Sequence, residues 1–119
     1  MAKIMDIPDI MQEQKYKHKI NTIEMDYKNA TRQADELERI AQKLHALSQD
    51  SFQPCLAAVA ASWKGETASV FCKKGTAALD SLLASAENLR QIAAASRQIA
   101  KNTYEAEKRS CEIAQERTY

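Results

Sequence analysis

The side chains that most often perform chemistry in proteins are few in this chain and are widely spaced. The three cysteines are Cys55, Cys72 and Cys111, and the two histidines are His18 and His45. None of them has the spacing of a metal-ligand pair, and no Cys-x-x-Cys motif occurs. Nucleophilic catalysis needs groups that converge in a pocket, and there is no glycine-rich phosphate loop. We therefore expect no enzyme activity, no metal and no cofactor, and free thiols in a reducing compartment.

The residues best suited to recognition are Trp63 and Gly65, which form a W-x-G set near the middle of the chain. Trp63 is the only tryptophan, and Gly65 is one of two glycines. A half-exposed tryptophan is a frequent hot spot, but a tryptophan beside a bend can also simply pack the end of a helical bundle. Both roles remain open for Trp63. Gly65 can adopt the positive φ that ends a helix.

The segments on either side of this set have the composition of long helices, with no alternating strand pattern. Asp9 can cap a helix, and Gln12 three residues later completes a capping box. Glu66 suits the positive end of a second helix. The sequence thus predicts an all-α fold, an antiparallel helical hairpin. Its single domain, 1–119, has a frayed N-terminus over 1–8, helix one over 9–63, a bend over 64–65 and helix two over 66–115.

Apolar or small residues in helix one follow a heptad pattern, with alternating steps of four and three. These residues are Tyr16, Ile20, Ile23, Tyr27, Ala30, Ala34, Leu37, Ala41 and Leu44. Phe52, Leu56 and Val59 continue the pattern only through two successive steps of four at Ser48, which unwinds a supercoil locally. Pro54 also removes a helical hydrogen bond there. We expect a kink within 49–54, with a complete break and recapping as the alternative.

Helix two carries a second stripe, and one of its members is a glycine. The stripe comprises Phe71, Gly75, Ala78 or Leu79, Leu82, Ala86, Leu89, Ile92 or Ala93, Ser96 and Ile99, and more weakly Thr103, Ala106, Ser110 and Ile113. Glycine inside a helix costs about 1 kcal/mol relative to alanine. Gly75 is therefore expected where helix one passes close by, opposite Phe52 or Leu56; a simple lack of constraint is the alternative.

A lone hairpin of this sequence is expected to be marginally stable, because Ala-rich stretches bury little area. Apolar residues at Ile40, Leu47, Leu83 and Ile92 are expected to face outward. Pairing with a second hairpin into a four-helix bundle would cover them. The expected core and interface, not divided between the two, comprises Ile20, Ile23, Leu37, Leu44, Phe52, Leu56, Val59, Phe71, Leu79, Leu82, Leu89, Ile92 and Ile99.

Charge and hydropathy argue against nucleic-acid and membrane partners. The formal net charge is +1 with interspersed signs, so we expect neither nucleic acid nor an anionic membrane as a partner. The lysines around Tyr16 are expected to form a solvated helix face. No run of about 18 apolar residues exists, so no membrane insertion is expected. The N-terminal stretch lacks an apolar signal core, and we expect folding in the cytoplasm and no ordinary cleaved leader.

With Trp63-Lys64-Gly65 at a hairpin bend between apolar helical arms, the chain resembles the WXG family, the ESAT-like small helical proteins of bacterial type VII secretion. The resemblance covers nearly the whole chain in architecture, although in sequence it rests on the motif and the pattern. It implies that Trp63 packs the tip and that Gly65 turns the chain. It also implies dimerisation with a second copy or a related hairpin, and export in folded form.

The family's C-terminal Y-x-x-x-[D/E] signal is not matched, because Lys108 stands four residues after Tyr104. Tyr104 and Glu107, on one helix face, could form a related targeting feature; an exposed tyrosine and a solvated glutamate are the alternative. The long first arm is similar to that of WXG-like accessory proteins. Those proteins bind the helical N-terminal domain of LXG-type toxin effectors and help present them to the secretion machine.

The resemblance therefore implies a small, non-enzymatic protein–protein interaction module of type VII secretion. It would act as a secreted substrate or as a targeting or chaperone partner of a toxin effector. The implied partners are a second copy, a related hairpin or the helical domain of an LXG-type effector, and the secretion ATPase. The protein would be cytoplasmic before export and secreted afterwards. The main alternative is a cytoplasmic structural coiled-coil adaptor, and a nucleic-acid-binding helical module is a minor third.

Overall fold

A computed structural model describes residues 7–117 as an all-α helical hairpin, which confirms the predicted fold class. The first arm consists of α1, Ile7–Ala46, a π-helical segment, Leu47–Phe52, and α2, Gln53–Ser62. The second arm is α3, Glu66–Glu116. No described helix combines the length and the apolar character needed to cross a membrane.

The first helix begins at Ile7, two residues before the predicted cap. Asp9 therefore lies inside the first turn, where its carboxylate still faces the positive end of the helix dipole. Pro8 fits the same turn, because the N–H that it lacks would have no partner inside the helix. Of the predicted frayed segment, residues 1–6 lie outside the described part of the chain.

The hairpin divides into two compact units, each containing part of both arms. The bend unit is Ala34–Ala95, and the terminal unit combines the described residues of Met1–Gln33 and Ser96–Tyr119. Each unit has its own seam, the line of side chains where the two arms pack together.

Small residues form most of the fully buried part of the seam in the bend unit. Its buried residues are Ala34, Ala41, Ser48, Ala68, Leu79, Ala86 and Ala93. Its half-buried members include Leu37, Leu44, Phe52, Leu56, Val59, Cys72, Gly75, Leu82 and Leu89. The predicted stripe of helix one is confirmed in this unit. In helix two, Leu79 and Ala93 occupy the seam, whereas Ala78 and Ile92 do not.

The predicted register of helix two was wrong at both ends of its stripe. Phe71 lies outside the seam, and its neighbour Cys72 takes the place. In the terminal unit Ala100 and Tyr104 replace the predicted Ile99 and Thr103. At Ile99 and Ala100 the physical reason is size: an alanine in the seam lets two helix backbones approach closely and pack without voids, so the bulky isoleucine is left on the flank.

Two tyrosines meet in the seam of the terminal unit. Tyr27 and Tyr104, from opposite arms, have ring centroids 4.8 Å apart and planes tilted by 33°. The other half-buried members include Tyr16, Ile20, Ile23, Ala30, Ser96, Lys108 and Cys111. Helix-one residues again follow the predicted pattern. Ala106, Ser110 and Ile113, predicted as a weak continuation, are exposed.

The predicted irregularity near Pro54 is a π-helical turn, and the alternative of a complete break is wrong. From Leu44 to Val59 the seam needs one residue more than two heptads, and the wider π turn accommodates it. The Gln53 N–H donates to the Ser48 carbonyl across this turn. Pro54 is the second residue of α2, which follows this turn directly.

The bend comprises Trp63, Lys64 and Gly65. Trp63 leaves the helix in an extended conformation (φ −119°, ψ 123°) while its N–H still donates to the Val59 carbonyl at 2.8 Å. Gly65 has a φ of +117°, and its carbonyl accepts a 3.0 Å bond from the Ser69 N–H. The predicted positive φ is thus confirmed, although Gly65 begins the second helix and Trp63 ends the first.

Replacing Gly65 with alanine should lower the free energy of unfolding by about 1–2 kcal/mol, because a Cβ is disfavoured at positive φ. Urea unfolding followed by circular dichroism measures this effect. Nothing lies within 4 Å of the added Cβ, so the decrease in the free energy of unfolding reports the cost of the backbone conformation alone. Lys64→Ala is the control at the same bend and should change little. A Gly65→Ala chain as stable as the parent would contradict a positive φ at this residue.

Gly75 lies where the first arm passes close, as predicted. A Cβ added there would overlap Cδ2 of Leu56. The Gly75→Ala change should therefore stabilise the chain only when Leu56 is shortened. In a Leu56→Ala background we expect a gain of about 1 kcal/mol from helix propensity, and in the parent little gain or a loss. A double-mutant cycle in urea measures the coupling, and additive effects would contradict this close approach.

Candidate functional site

The main candidate for a binding surface is an apolar flank on the bend unit. It consists of the exposed residues that directly precede seam positions: Ile40, Leu47, Phe71 and Ile92. Their side chains are 43%, 56%, 50% and 50% exposed. In an antiparallel helix pair, residues that precede these seam positions lie along the same side of both arms. The four side chains therefore share one face.

The opposite flank of the bend unit is mostly polar. It is formed by residues that directly follow the seam leucines, and Glu38, His45 and Arg90 are among them. Leu83 also lies on this flank and is half-buried rather than outward-facing as predicted. The two sides of the unit thus differ in chemistry, and one of them resembles an interface more than a solvated surface.

Next to the bend, an apolar groove of about 390 Å³ opens between the arms. Its lining residues are Phe52, Cys55, Leu56, Val59, Phe71, Lys74 and Gly75. Trp63 packs beside it, with its ring centroid 5.8 Å from that of Phe71. Trp63 is nevertheless 46% exposed. Its indole therefore both packs the tip and presents a surface, so neither role proposed from the sequence excludes the other.

The structure divides the residues that the sequence could not assign to core or interface. Phe71, Ile92 and Ile99 are exposed and available to a partner. The others lie in the seams, within the chain: Ile20, Ile23, Leu37, Leu44, Phe52, Leu56, Val59, Leu79, Leu82 and Leu89. Sequence reasoning missed the seam alanines as the organising feature. The seven-residue spacing of Ala34, Ala41 and Ser48, and of Leu79, Ala86, Ala93 and Ala100, was the available signal.

The predicted targeting feature at Tyr104 and Glu107 has a defined setting in the terminal unit. Tyr104 is half-buried against Tyr27, and the Lys108 Nζ lies 5.7 Å from the centre of its ring. Glu107 is exposed and lines the same groove as Tyr104. The alternative of a simply exposed tyrosine does not describe Tyr104.

The groups that could do chemistry are dispersed. Cys55 is exposed, Cys72 and Cys111 are half-buried, and all three are free thiols. Within residues 7–117 no group of three His, Cys, Asp or Glu side chains could hold a metal ion. A hydrogen bond from Arg39 lowers the pKa of Glu36, and the same bond raises the pKa of Arg39. This is a surface pair within one helix, one turn apart.

The fold and these surfaces define an all-α helical hairpin whose bend unit carries an apolar flank. Comparison with protein-family models, with curated proteins and with solved structures finds no match for this chain. Its function is therefore inferred from its own residues and from the W-x-G resemblance.

Proposed function

We propose that this protein is a non-enzymatic protein–protein interaction module of type VII secretion. It acts as a secreted substrate or as a targeting or chaperone partner of a toxin effector. The observation that carries the proposal is the apolar flank at Ile40, Leu47, Phe71 and Ile92, which belongs to the same unit as the W-x-G bend.

The flank supports the interaction role energetically. Fully burying a large aliphatic or aromatic side chain is worth about 1.5–3 kcal/mol, so covering four half-exposed ones contributes several kcal/mol to association. A second pair of helices offers a complementary apolar surface and gives a four-helix bundle. The partner in this proposal is a second copy, a related hairpin or the helical N-terminal domain of an LXG-type effector.

The secretion role is supported by the bend. Trp63 is half-exposed beside Phe71, and Gly65 has the backbone conformation that favours glycine. Trp63 and Gly65 thus each have a physical role at the turn, and the family resemblance implies a turn at this position. In this proposal the secretion ATPase recognises the tip, and the protein is secreted from the cytoplasm without a cleaved leader.

One observation favours the second candidate, a cytoplasmic structural coiled-coil adaptor. Lys108 stands where the family signal has an acidic residue, and its ammonium lies 5.7 Å from the centre of the Tyr104 ring. A cation held against this tyrosine does not present the acidic pattern of the secretion signal.

Export separates the two candidates. Full-length protein should accumulate in the culture medium of its host and should disappear from the medium when the secretion ATPase is disabled. A cytoplasmic protein released by lysis serves as the control for leakage. Retention in the cells, or release that does not depend on the ATPase, would favour the adaptor. If a neighbouring gene encodes an LXG-type toxin, its helical N-terminal domain should co-purify with this protein.

A further inference from the structure

A second candidate surface lies in the terminal unit. A groove of about 370 Å³ runs beside the tyrosine pair. Its apolar lining includes Ile23, Tyr27, Ile99 and Tyr104. Ile99 is 65% exposed, so its side chain rises from the groove edge into solvent.

The groove is elongated. A neighbouring groove of about 490 Å³ shares Ile23, Asp26 and Glu107 with the first and reaches Ala114. Along α3 the two grooves together extend from Ser96 to Ala114, which is about 27 Å at the helical rise. This length corresponds to five helical turns. A groove of this form fits a helix better than a small molecule.

Two carboxylates lie where the two grooves meet. Asp26 comes from the first arm and Glu107 from the second, and both line both grooves. Neither carboxylate has a hydrogen bond or an ion pair among the described residues. Of the nearby cations, Lys108 lies against the Tyr104 ring, and Lys19 lies about 10 Å along the helix from Asp26.

We propose that these grooves bind one helix of a partner protein, and that this helix presents an arginine or lysine between Asp26 and Glu107. An apolar side chain one turn away on the same helix packs against Tyr27, Ile99 and Tyr104. This inference rests on the proposed interaction function and specifies the chemistry of the partner.

Charge complementarity at an apolar surface determines which helix fits. A helix that covers the grooves removes water from the carboxylates, and an unpaired buried carboxylate is strongly disfavoured. A basic side chain satisfies both carboxylates with charge-assisted hydrogen bonds, while its aliphatic stem covers Ile23. A partner helix with an acidic or apolar residue at that position is rejected, so Asp26 and Glu107 act as a specificity filter.

The test selects binding helices from a library, so it does not require an identified partner. A display library of amphipathic helices, roughly 20 residues long, has leucine or isoleucine at one heptad face and random residues elsewhere. It is selected against the purified full chain. We expect arginine or lysine to be enriched at one fixed position relative to the apolar face. The dissociation constants of the selected helices are then measured by fluorescence anisotropy.

Two matched double variants distinguish the groove from general electrostatics. Asp26→Asn with Glu107→Gln should weaken binding of the selected helices about tenfold or more. Glu24→Gln with Glu105→Gln removes the same charge from exposed positions on the same arms, outside both grooves, and should leave the affinity unchanged. Circular dichroism verifies that both variants fold.

Several results would overturn the inference: no selected helix, no preference for a basic residue, or equal affinity for the Asp26/Glu107 variant and the parent. The export experiment addresses a separate question. If no helix is selected but export still depends on the ATPase, only the proposal that the grooves bind a helix is refuted. If helices are selected but the protein is not exported, the secretion role is refuted and the helix-binding groove stands.

Discussion

Replacing Ala93 with leucine should lower the free energy of unfolding by about 1–3 kcal/mol, because Ala93 is fully buried in the seam between the two arms. The longer side chain must push the arms apart or adopt a strained rotamer. Both responses reduce the packing of the seam around Ala86 and Leu89. Urea unfolding monitored by circular dichroism measures the loss.

The adjacent alanine provides a matched control for this prediction. Ala94 is exposed, and Ala94→Leu makes the same chemical change one residue away. This variant should be as stable as the parent, since alanine and leucine are both good helix formers. If Ala93→Leu and Ala94→Leu were equally stable, the close-packed alanine seam of the bend unit would be contradicted.

Placing aspartate at both Leu47 and Ile92 should abolish association with the partner while leaving the hairpin folded. Both side chains are at least half exposed in the single chain, so their replacement costs little within it. In the bundle, each substitution removes apolar contact and buries a carboxylate without a partner, which costs several kcal/mol. Light scattering of the chain, alone and with the products of neighbouring genes, measures the assembly mass.

The polar flank supplies the control for this experiment. His45→Asp with Arg90→Asp places two aspartates on the opposite side of the same unit and should preserve the assembly. Leu82 is a poorer choice of residue to mutate, because it is half-buried in the seam, so Leu82→Asp would unfold the chain as well as separate partners. An unchanged assembly mass for the Leu47/Ile92 variant, with intact helicity, would exclude the apolar flank as the interface.

Local features of the fold could be predicted because they depend on short-range chemistry. The heptad pattern from Tyr16 to Leu44 corresponds to the seam of helix one, and Gly65 adopts the expected positive φ. The extra residue between Leu44 and Val59 was visible in the sequence as successive steps of four. The sequence did not show how the helix accommodates this extra residue, because a π turn, a kink and a break can each do so.

The candidate surfaces were less predictable from the sequence. Ile92 and Ala93 are adjacent, as are Ile99 and Ala100, and hydrophobicity favours the isoleucine for the seam. The structure places the alanine there and exposes the isoleucine. Similarly, Asp26 and Glu107 are far apart in sequence, and only the pairing of the two arms brings them to one groove.

The amino-acid order alone established two long helices, the position of the turn and the face of the first arm that packs. These properties follow from helical periodicity and from backbone preferences at a few residues. The distance between the arms was decided by three-dimensional packing, because it depends on which side chains of both arms can fit into the same space. That distance places Ala93 inside and Ile92 outside, and so creates the flank on which the proposed association depends.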